Sequence, residues 1–402
     1  MPAVIVHPTF RDAVSASRPL SAHTEPAVAR RLLRWSTLSD AIRVGSFIPA
    51  DDFCFVRDRT EAPADDYSRF VQSDRPELQR ELIPDRVQAL LRQGYTLRIK
   101  NIHRRVPALR DVGQLIESVV NEPVGCNLYA VHDDRPAFGI HADPHDVVVV
   151  QLEGTKRWII YTPDAGGDLD PRRTNRDRVA PVFDAVAPEL DIELTPGDVL
   201  YLPRSWWHVA VAVGGASLHV TYAVRRPTGL DLALRVLERI GHRDPWRSPL
   251  PRSGTVEDRV NYAAQLCAAF AEELTAESIA THIAERDTFA VPRFVVDLEP
   301  EDRAAPPSTA GFGDRWTMIA NRPLVCTDRG STIEVQANGR SIALPAFVQP
   351  ILDQLTRSGT FSQLDIAIED RPFAALVFDR LQQLGVITRD HADNVQPIDG
   401  GG

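Results

Sequence analysis

An α+β fold is predicted for this 402-residue chain, with an antiparallel β-barrel at its centre. Between Val124 and Val224, short apolar runs alternate with turn clusters such as Asp164-Ala-Gly-Gly-Asp168 and Val213-Gly-Gly-Ala216. Many short strands with regular turns make a closed or sandwiched antiparallel barrel, in which a ligand sits inside the mouth. Ahead of this stretch the apolar residues recur at helical spacing, and after Arg226 they do so again.

Each element has its own signal. Residues 1–25 are rich in Pro, Ser and Ala without clear periodicity and read as a mobile arm. Val28, Leu32, Leu33 and Trp35 predict a short helix over 26–38. Residues 85–94 read as a helix with Asp85 in its first turn and a stop at Gly94, followed by a strand over 95–99. Leu109, Val112, Leu115, Ile116 and Val119 lie along one face of a further helix over 109–120. Pro196-Gly197 turns the chain, Val199 to Leu202 form a short strand and Pro203 ends it.

Beyond the barrel, helices are predicted over 230–240, 256–274 and 276–284, and a Pro-containing linker over 299–313. Strand-like segments with a hairpin signal at Asn338-Gly339 follow, with helices over 347–355, 363–368 and 373–384, an arrangement like a winged helix. The tail 396–402 reads as disordered. The expected organisation is therefore arm 1–25, barrel domain with helical lead-in 26–226, helical region 227–298, linker 299–313, winged-helix-like domain 314–395 and tail 396–402.

Composition sets further bounds. Hydrophobic residues at 43% and charged residues at 25% are ordinary for a globular chain. The cysteines Cys54, Cys126, Cys267 and Cys326 are scattered without paired spacing, which argues against a disulfide scaffold or structural zinc and fits a reducing cytoplasm. No signal-peptide pattern opens the chain and no apolar run is long enough to span a membrane. A net charge of −10 opposes a phosphate-tracking surface but attracts basic protein partners. Residues 301–402 carry nine arginines against 13 acidic residues, so the winged-helix-like part argues for docking or structural support rather than DNA binding.

The chemistry concentrates in 139–158. His141 and Asp143 are two apart before a β-branched run, and an extended strand projects residues i and i+2 to one face. His208, delivered after the 199–202 strand, is the best candidate for a third ligand. Two histidines and a carboxylate form the facial triad of non-haem Fe(II) oxygenases, which leaves positions open for a co-substrate and O₂. Lysine is nearly absent, with Lys100 and Lys156 the only two among 45 basic residues. A compact ammonium suits a buried carboxylate where a guanidinium fork would not fit, whereas a surface turn after Gly154 would accept arginine equally well.

Neighbouring residues have plainer readings. His145 shares the face of His141 at roughly 13 Å, the place of a rim or substrate-contacting residue, although His145 and Asp146 could form a second ligand pair. Trp206 and Trp207 pack the barrel end, and His219 either supports the site or simply packs. Asp133 and Asp134 could form an acidic lip that receives a basic side chain, or pair with Arg135.

Taken together, Asn127-Leu-Tyr129, Phe138-Gly-Ile-His141-Ala-Asp143, Val147 to Gln151, Gly154-Thr-Lys156-Arg-Trp158, Pro196-Gly-Asp198 through His208, and Ser217-Leu-His219 resemble the JmjC-type 2-oxoglutarate oxygenases. Within them the chain is most similar to the ribosomal oxygenase group, cupin-fold hydroxylases of ribosomal protein side chains. The resemblance covers about residues 95–225 and sharpens the barrel to a double-stranded β-helix. It implies Fe(II) on His141, Asp143 and His208, the distal carboxylate of 2-oxoglutarate on Lys156, and Asn127, Tyr129 and Ser217 lining the co-substrate pocket. It also implies a helical dimerisation region after the barrel, and so a homodimer.

Three function classes follow. The first is a hydroxylase of a protein side chain, releasing succinate and CO₂, with N-demethylation differing only in the carbon presented. The second is a tailoring hydroxylase of a small molecule or biosynthetic peptide, since one iron site serves any substrate that reaches it. A non-enzymatic cupin-like binding protein is disfavoured by the complete ligand set and the lysine.

Overall fold

The computed structural model describes residues 1–43, 50–71, 79–134, 137–167, 169, 182–288, 315–318, 324–358, 360–362 and 371–389. The chain divides into two compact units, Met1–Arg226 and Pro227–Gly402.

The first unit is built on β1 (Leu20–His23), β2 (Phe53–Arg57), β3 (Thr60–Glu61), β4 (Ser68–Val71), β5 (Gln79–Leu82), β6 (Thr96–Ile99), β7 (Val124–Val131), β8 (His141–Ala142), β9 (Asp146–Tyr161), β10 (Leu190–Leu194), β11 (Asp198–Leu202) and β12 (Trp207–Val224). The main path runs β1-β11-β9-β12-β7-β6-β2-β3, with β10 on β9 and β8 on β12; β4 and β5 pair apart.

Two long strands organise this sheet. The first half of β9 pairs with β11 and with the last half of β12, from Val147 opposite Ala223 to Gln151 opposite His219. Its second half pairs with β10 and with the first half of β12, from Thr155 opposite Val213 to Tyr161 opposite Trp207. Both strands thus serve two sheets in turn, which makes the double-stranded β-helix.

The crossing needs special backbone. Gly154 has φ +69°, and the β9–β12 register shifts between Val213 and His219, where Gly214 and Gly215 also have positive φ. An added Cβ at Gly154 would collide with the Ala216 carbonyl oxygen, so only glycine lets the two strands approach there.

Val147, Val149, Trp158, Ile160, Leu194, Leu200 and Leu202 form a core between the sheet halves. On the outside, Val148, Val150, Leu152, Leu218 and Val220 pack against the N-terminal helices. Those helices include Pro107–Val120, which buries Leu109, Val112 and Ile116, and Pro84–Arg92, which is followed by Gly94 at φ +84°.

Two expectations are corrected. Residues 1–25, read as a mobile arm, form helices Pro2–Ile5 and Pro8–Ala16 and the strand β1 on β11. Ile5, Phe10 and Val14 are buried, and Phe10 meets Tyr201 edge to face at 5.7 Å between ring centroids. Apolar residues there were too few to give a period, but tertiary packing orders the segment. The single helix read over 26–38 is two, Pro26–Leu32 and Trp35–Arg43, with Leu33 extended between them.

In the second unit, helices Gly229–Ile240, Val256–Glu273 and Ala276–Thr288 come first, two of them opened by capping boxes at Thr228/Asp231 and Thr255/Asp258. Strands β13 (Arg315–Met318), β14 (Val325–Asp328), β15 (Thr332–Ala337), β16 (Arg340–Pro345), β17 (Thr360–Ser362) and β18 (Ile387–Arg389) form two three-stranded sheets, with helices Gln349–Ser358 and Arg371–Gln383. Asn338 and Gly339, both at positive φ, turn the β15–β16 hairpin as their sequence predicts. The linker 299–313, the helix read over 363–368 and the tail 396–402 lie outside the described residues.

Candidate metal centre and active-site cavity

A cavity of about 370 Å³ opens among β6, β7, β9 and β12 and the 137–145 segment. Its lining follows from strand alternation. Thr96 and Arg98 face it from β6, and Asn127, Tyr129 and Val131 from β7. His141, Asp143, His145 and Val147 continue one inward series of alternate residues into β9.

Past Gly154 the parity changes, so that Lys156 and Trp158 face inward. On β12 His208, Ala210 and Ala212 face inward before the glycine pair, and His219, Thr221 and Ala223 after it, with Arg225 beyond the strand end. The irregularities at Gly154 and at Gly214-Gly215 are what aim both halves of each long strand at one space.

His141, Asp143 and His208 converge, with one ligand atom from each within 4.8 Å of the others. The β8–β12 pairing sets His141 opposite His208, and the Ser205 amide donates to the Asp143 carbonyl at 2.9 Å. Asp143 Oδ2 lies 3.8 Å from His208 Nε2. Each imidazole is oriented by its other nitrogen: Nδ1 of His141 donates to the Gly139 carbonyl and Nδ1 of His208 to the Trp206 carbonyl, both at 3.0 Å. That tautomer leaves both Nε2 lone pairs for a metal. Burial, reinforced by His141, holds His208 well below the ordinary histidine pKa, in the neutral form that a metal requires. These residues fit a single divalent transition-metal ion.

Lys156 completes the site. It is on β9 rather than in a surface turn, is 7% exposed, and has no carboxylate partner among the described residues. Burial alone pulls its pKa down to about 8. A buried ammonium without a counter-ion in a cavity is a site for an anion. Beside it His219, held neutral by burial and by Lys156, stacks on Tyr129 at 5.0 Å with its Nδ1 unpartnered.

The other expected residues are distributed plainly. Asn127 and Tyr129 line the cavity, and His145 does so outside the triad. Ser217 is fully buried but is absent from the described lining, and its hydroxyl accepts a hydrogen bond from Gln151 Nε2 at 3.0 Å. Asp146 forms no second ligand pair with His145: it turns to the opposite face, where Arg226, Arg204 and Tyr201 surround it. Asp133 and Asp134 border a separate surface hollow with Arg92 and His132, not the metal cavity. Arg98, Thr221 and Arg225 went unremarked in the sequence and Trp158 entered only as part of the family motif, although Thr96 and Arg98 alternating with Leu97 and Ile99 already mark a strand with one polar face.

A two-histidine, one-carboxylate triad is the ligand set of non-haem Fe(II) oxygenases, and residues 102–232, which hold it inside the double-stranded β-helix, match the family model of the JmjC domain.

Two similar proteins are the bifunctional lysine-specific demethylase and histidyl-hydroxylase NO66 of Drosophila willistoni and of Drosophila yakuba. The former is 32% identical over 148 residues, covering 35% of this chain and 18% of the relative. The latter is 33% identical over 146 residues, covering 35% and 21%. The chain thus spans about a fifth of the length of these relatives. Among solved structures, Escherichia coli ycfD matches with a TM-score of 0.50 and 16% identity over 95% of this chain and 98% of that one, a likeness of fold.

Proposed function

We propose that this protein is an Fe(II)- and 2-oxoglutarate-dependent oxygenase that hydroxylates a C–H bond of a protein side chain, of the ribosomal-protein type. The observation that carries the proposal is the pairing, in one cavity, of a complete facial triad with a buried, uncompensated Lys156.

Bound Fe(II), with 2-oxoglutarate and O₂, supplies the oxidising power and yields succinate and CO₂. The chain's own residues do the rest. His141, Asp143 and His208 would hold the metal, three protein ligands that leave room for a co-substrate. Lys156 anchors the distal carboxylate, with Asn127 and Tyr129 on the same wall. The apolar surfaces of Val147, Trp158 and the alanines of β12 keep water from the reacting centre.

The name shared by the Drosophila relatives includes histidyl hydroxylation, which supports a protein substrate. The net charge of −10 favours a basic partner such as a ribosomal protein, and the free cysteines Cys54, Cys126, Cys267 and Cys326 support a reducing cytoplasm as the place of action. No helix among the described residues is long and apolar enough to cross a membrane. In the second unit Leu230, Leu234, Val256, Val260, Ile279 and Ile283 are exposed on three helices, an apolar surface that supports a homodimer. The winged-helix-like part serves docking or support rather than DNA binding.

The test is succinate release from 2-oxoglutarate under Fe(II) and O₂ with ribosomal proteins present. Wild type turns over and His208→Ala does not; equal behaviour of the two ends the proposal. A gain of one oxygen on a ribosomal protein, found by mass spectrometry only in cells that carry the enzyme, identifies the substrate class, whereas an unchanged ribosome points to a tailoring hydroxylase.

A further inference from the structure

Residues 1–24 do not line the metal cavity, yet they reach its ligands through one side chain. Their last stretch, β1, lies antiparallel on β11 from Leu20 opposite Tyr201 to His23 opposite Asp198. Just beyond it the Thr24 hydroxyl and amide both donate to the Gly197 carbonyl, at 2.8 and 3.0 Å, and a Cβ on Gly197 would strike the Thr24 carbonyl oxygen. The two strands are therefore shaped to close on each other.

Tyr201 is where this segment and the site meet. Its backbone pairs with Leu20, its ring takes the edge-to-face contact with Phe10 at 5.7 Å, and its hydroxyl donates to Asp146 at 3.2 Å. Phe10 and Tyr201 are each 1% exposed and Asp146 is fully buried, so both contacts are closed to water. The other oxygen of Asp146 accepts the Arg204 amide, and the following amide, of Ser205, donates to the carbonyl of the ligand Asp143. The ligand His208 stands three residues further on.

We propose that Phe10 and Tyr201 are positioning residues for the metal centre, through which docking of residues 1–24 and metal binding at His141, Asp143 and His208 reinforce each other. This rests on the reading of that triad as the metal site. Phe10 fixes the tilt of the Tyr201 ring, the ring fixes where its hydroxyl lies, and the hydroxyl holds the Asp146 carboxylate in the orientation that receives the Arg204 amide. Partners behind the ligands set metal affinity because they set ligand geometry. Linkage then runs both ways: the factor by which a docked segment tightens metal binding is the factor by which bound metal favours docking. A segment that only covered apolar surface would leave the two equilibria independent.

The test uses the full chain with Mn(II) alone, its affinity read from the electron paramagnetic resonance of the free ion. Tyr201→Phe removes one oxygen and keeps the ring, whereas Phe10→Ala removes the ring contact. Each is expected to weaken Mn(II) binding roughly fivefold or more, and the double variant to fall short of the product of the two because both act through one link. In the wild type Mn(II) should slow hydrogen exchange of the Leu20–His23 amides roughly fivefold beyond any slowing in helix Pro107–Val120, which gauges general stabilisation. That excess should vanish in Tyr201→Phe. Wild-type affinity in folded Tyr201→Phe, or no excess protection of β1 in the wild type, overturns the proposal, and the exchange measurement on the wild type depends on no variant folding. A wild type that fails to bind Mn(II), or a His208→Ala protein that binds it equally well, sinks the triad reading; Mn(II) held by the triad without the coupling sinks only this one.

Discussion

The buried carboxylate of Asp146 accepts the backbone amide of Arg204 at 3.0 Å, and so fastens the turn that leads to His208 onto the start of the strand that follows Asp143. Arg226 lies 2.5 Å from its other oxygen and Tyr201 donates to that oxygen at 3.2 Å. Ser205, in the same turn, is left-handed at φ +68° and donates to the Asp143 carbonyl. Removing the carboxylate would strand Arg226 and release the turn. Asp146→Ala is expected to cost ~3–5 kcal/mol in denaturant unfolding and to weaken Mn(II) binding by roughly 10- to 100-fold. Wild-type Mn(II) affinity in a folded Asp146→Ala protein would show that the clamp does not hold the triad.

Lys156 should make the ligand-free protein sensitive to alkali in an unusual direction. Its folded pKa, about 8, lies below the ordinary 10.5, so the folded chain binds fewer protons than the unfolded chain between those values. Stability therefore rises from about pH 8 to pH 10.5, and the burial penalty, ~3 kcal/mol, is complete below pH 8. Lys156→Met is expected to flatten that slope and raise the neutral-pH Tm. An unaltered slope in the variant would assign it to other groups.

The same residue predicts proton uptake on binding. A dicarboxylate beside Lys156 restores the ammonium, so binding of 2-oxoglutarate at pH 8.5 should take up a fraction of a proton, read by calorimetry in buffers of different ionisation enthalpy. Lys156→Met should lose both the uptake and most of the affinity.

A metal that binds only the folded chain stabilises it. Mn(II) at about 100 times its Kd should add ~2.7 kcal/mol to wild type and nothing to His141→Ala. An equal rise in Tm for the two proteins would place the ion elsewhere.

Gly154→Ala forces a side chain into left-handed backbone against the Ala216 carbonyl. A loss of ~3 kcal/mol or more is expected from chemical denaturation, together with weaker 2-oxoglutarate binding because Lys156 is only two residues away. Gly167→Ala is the control for added volume: its φ is also positive, but nothing lies within 4 Å of its added Cβ. It should cost only ~1–2 kcal/mol.

Much of the site was legible in the sequence. His141 and Asp143 on one strand face and His208 after a Pro-ended strand are local patterns, and the structure brings the three together. What could not be read was parity. Counting alternately from Val147 puts Lys156 on the wrong face, and only the backbone break at Gly154 restores it. The order in residues 1–25 was also hidden, since it depends on Phe10 meeting Tyr201, 191 positions away in the chain. Arg98 and Arg225 were overlooked because arginine is the commonplace cation of this chain, whereas a lysine stands out.

The two glycine breaks give the site something like a reading frame. Insert one residue between Trp158 and Gly154, or between His208 and Gly214, and every side chain on the far side of the insertion swaps cavity for solvent or core, while two inserted residues restore the original phase. Length changes here should therefore be tolerated in pairs and fatal singly. Drift in this protein is free to rewrite letters along β9 and β12 far more readily than to alter their count.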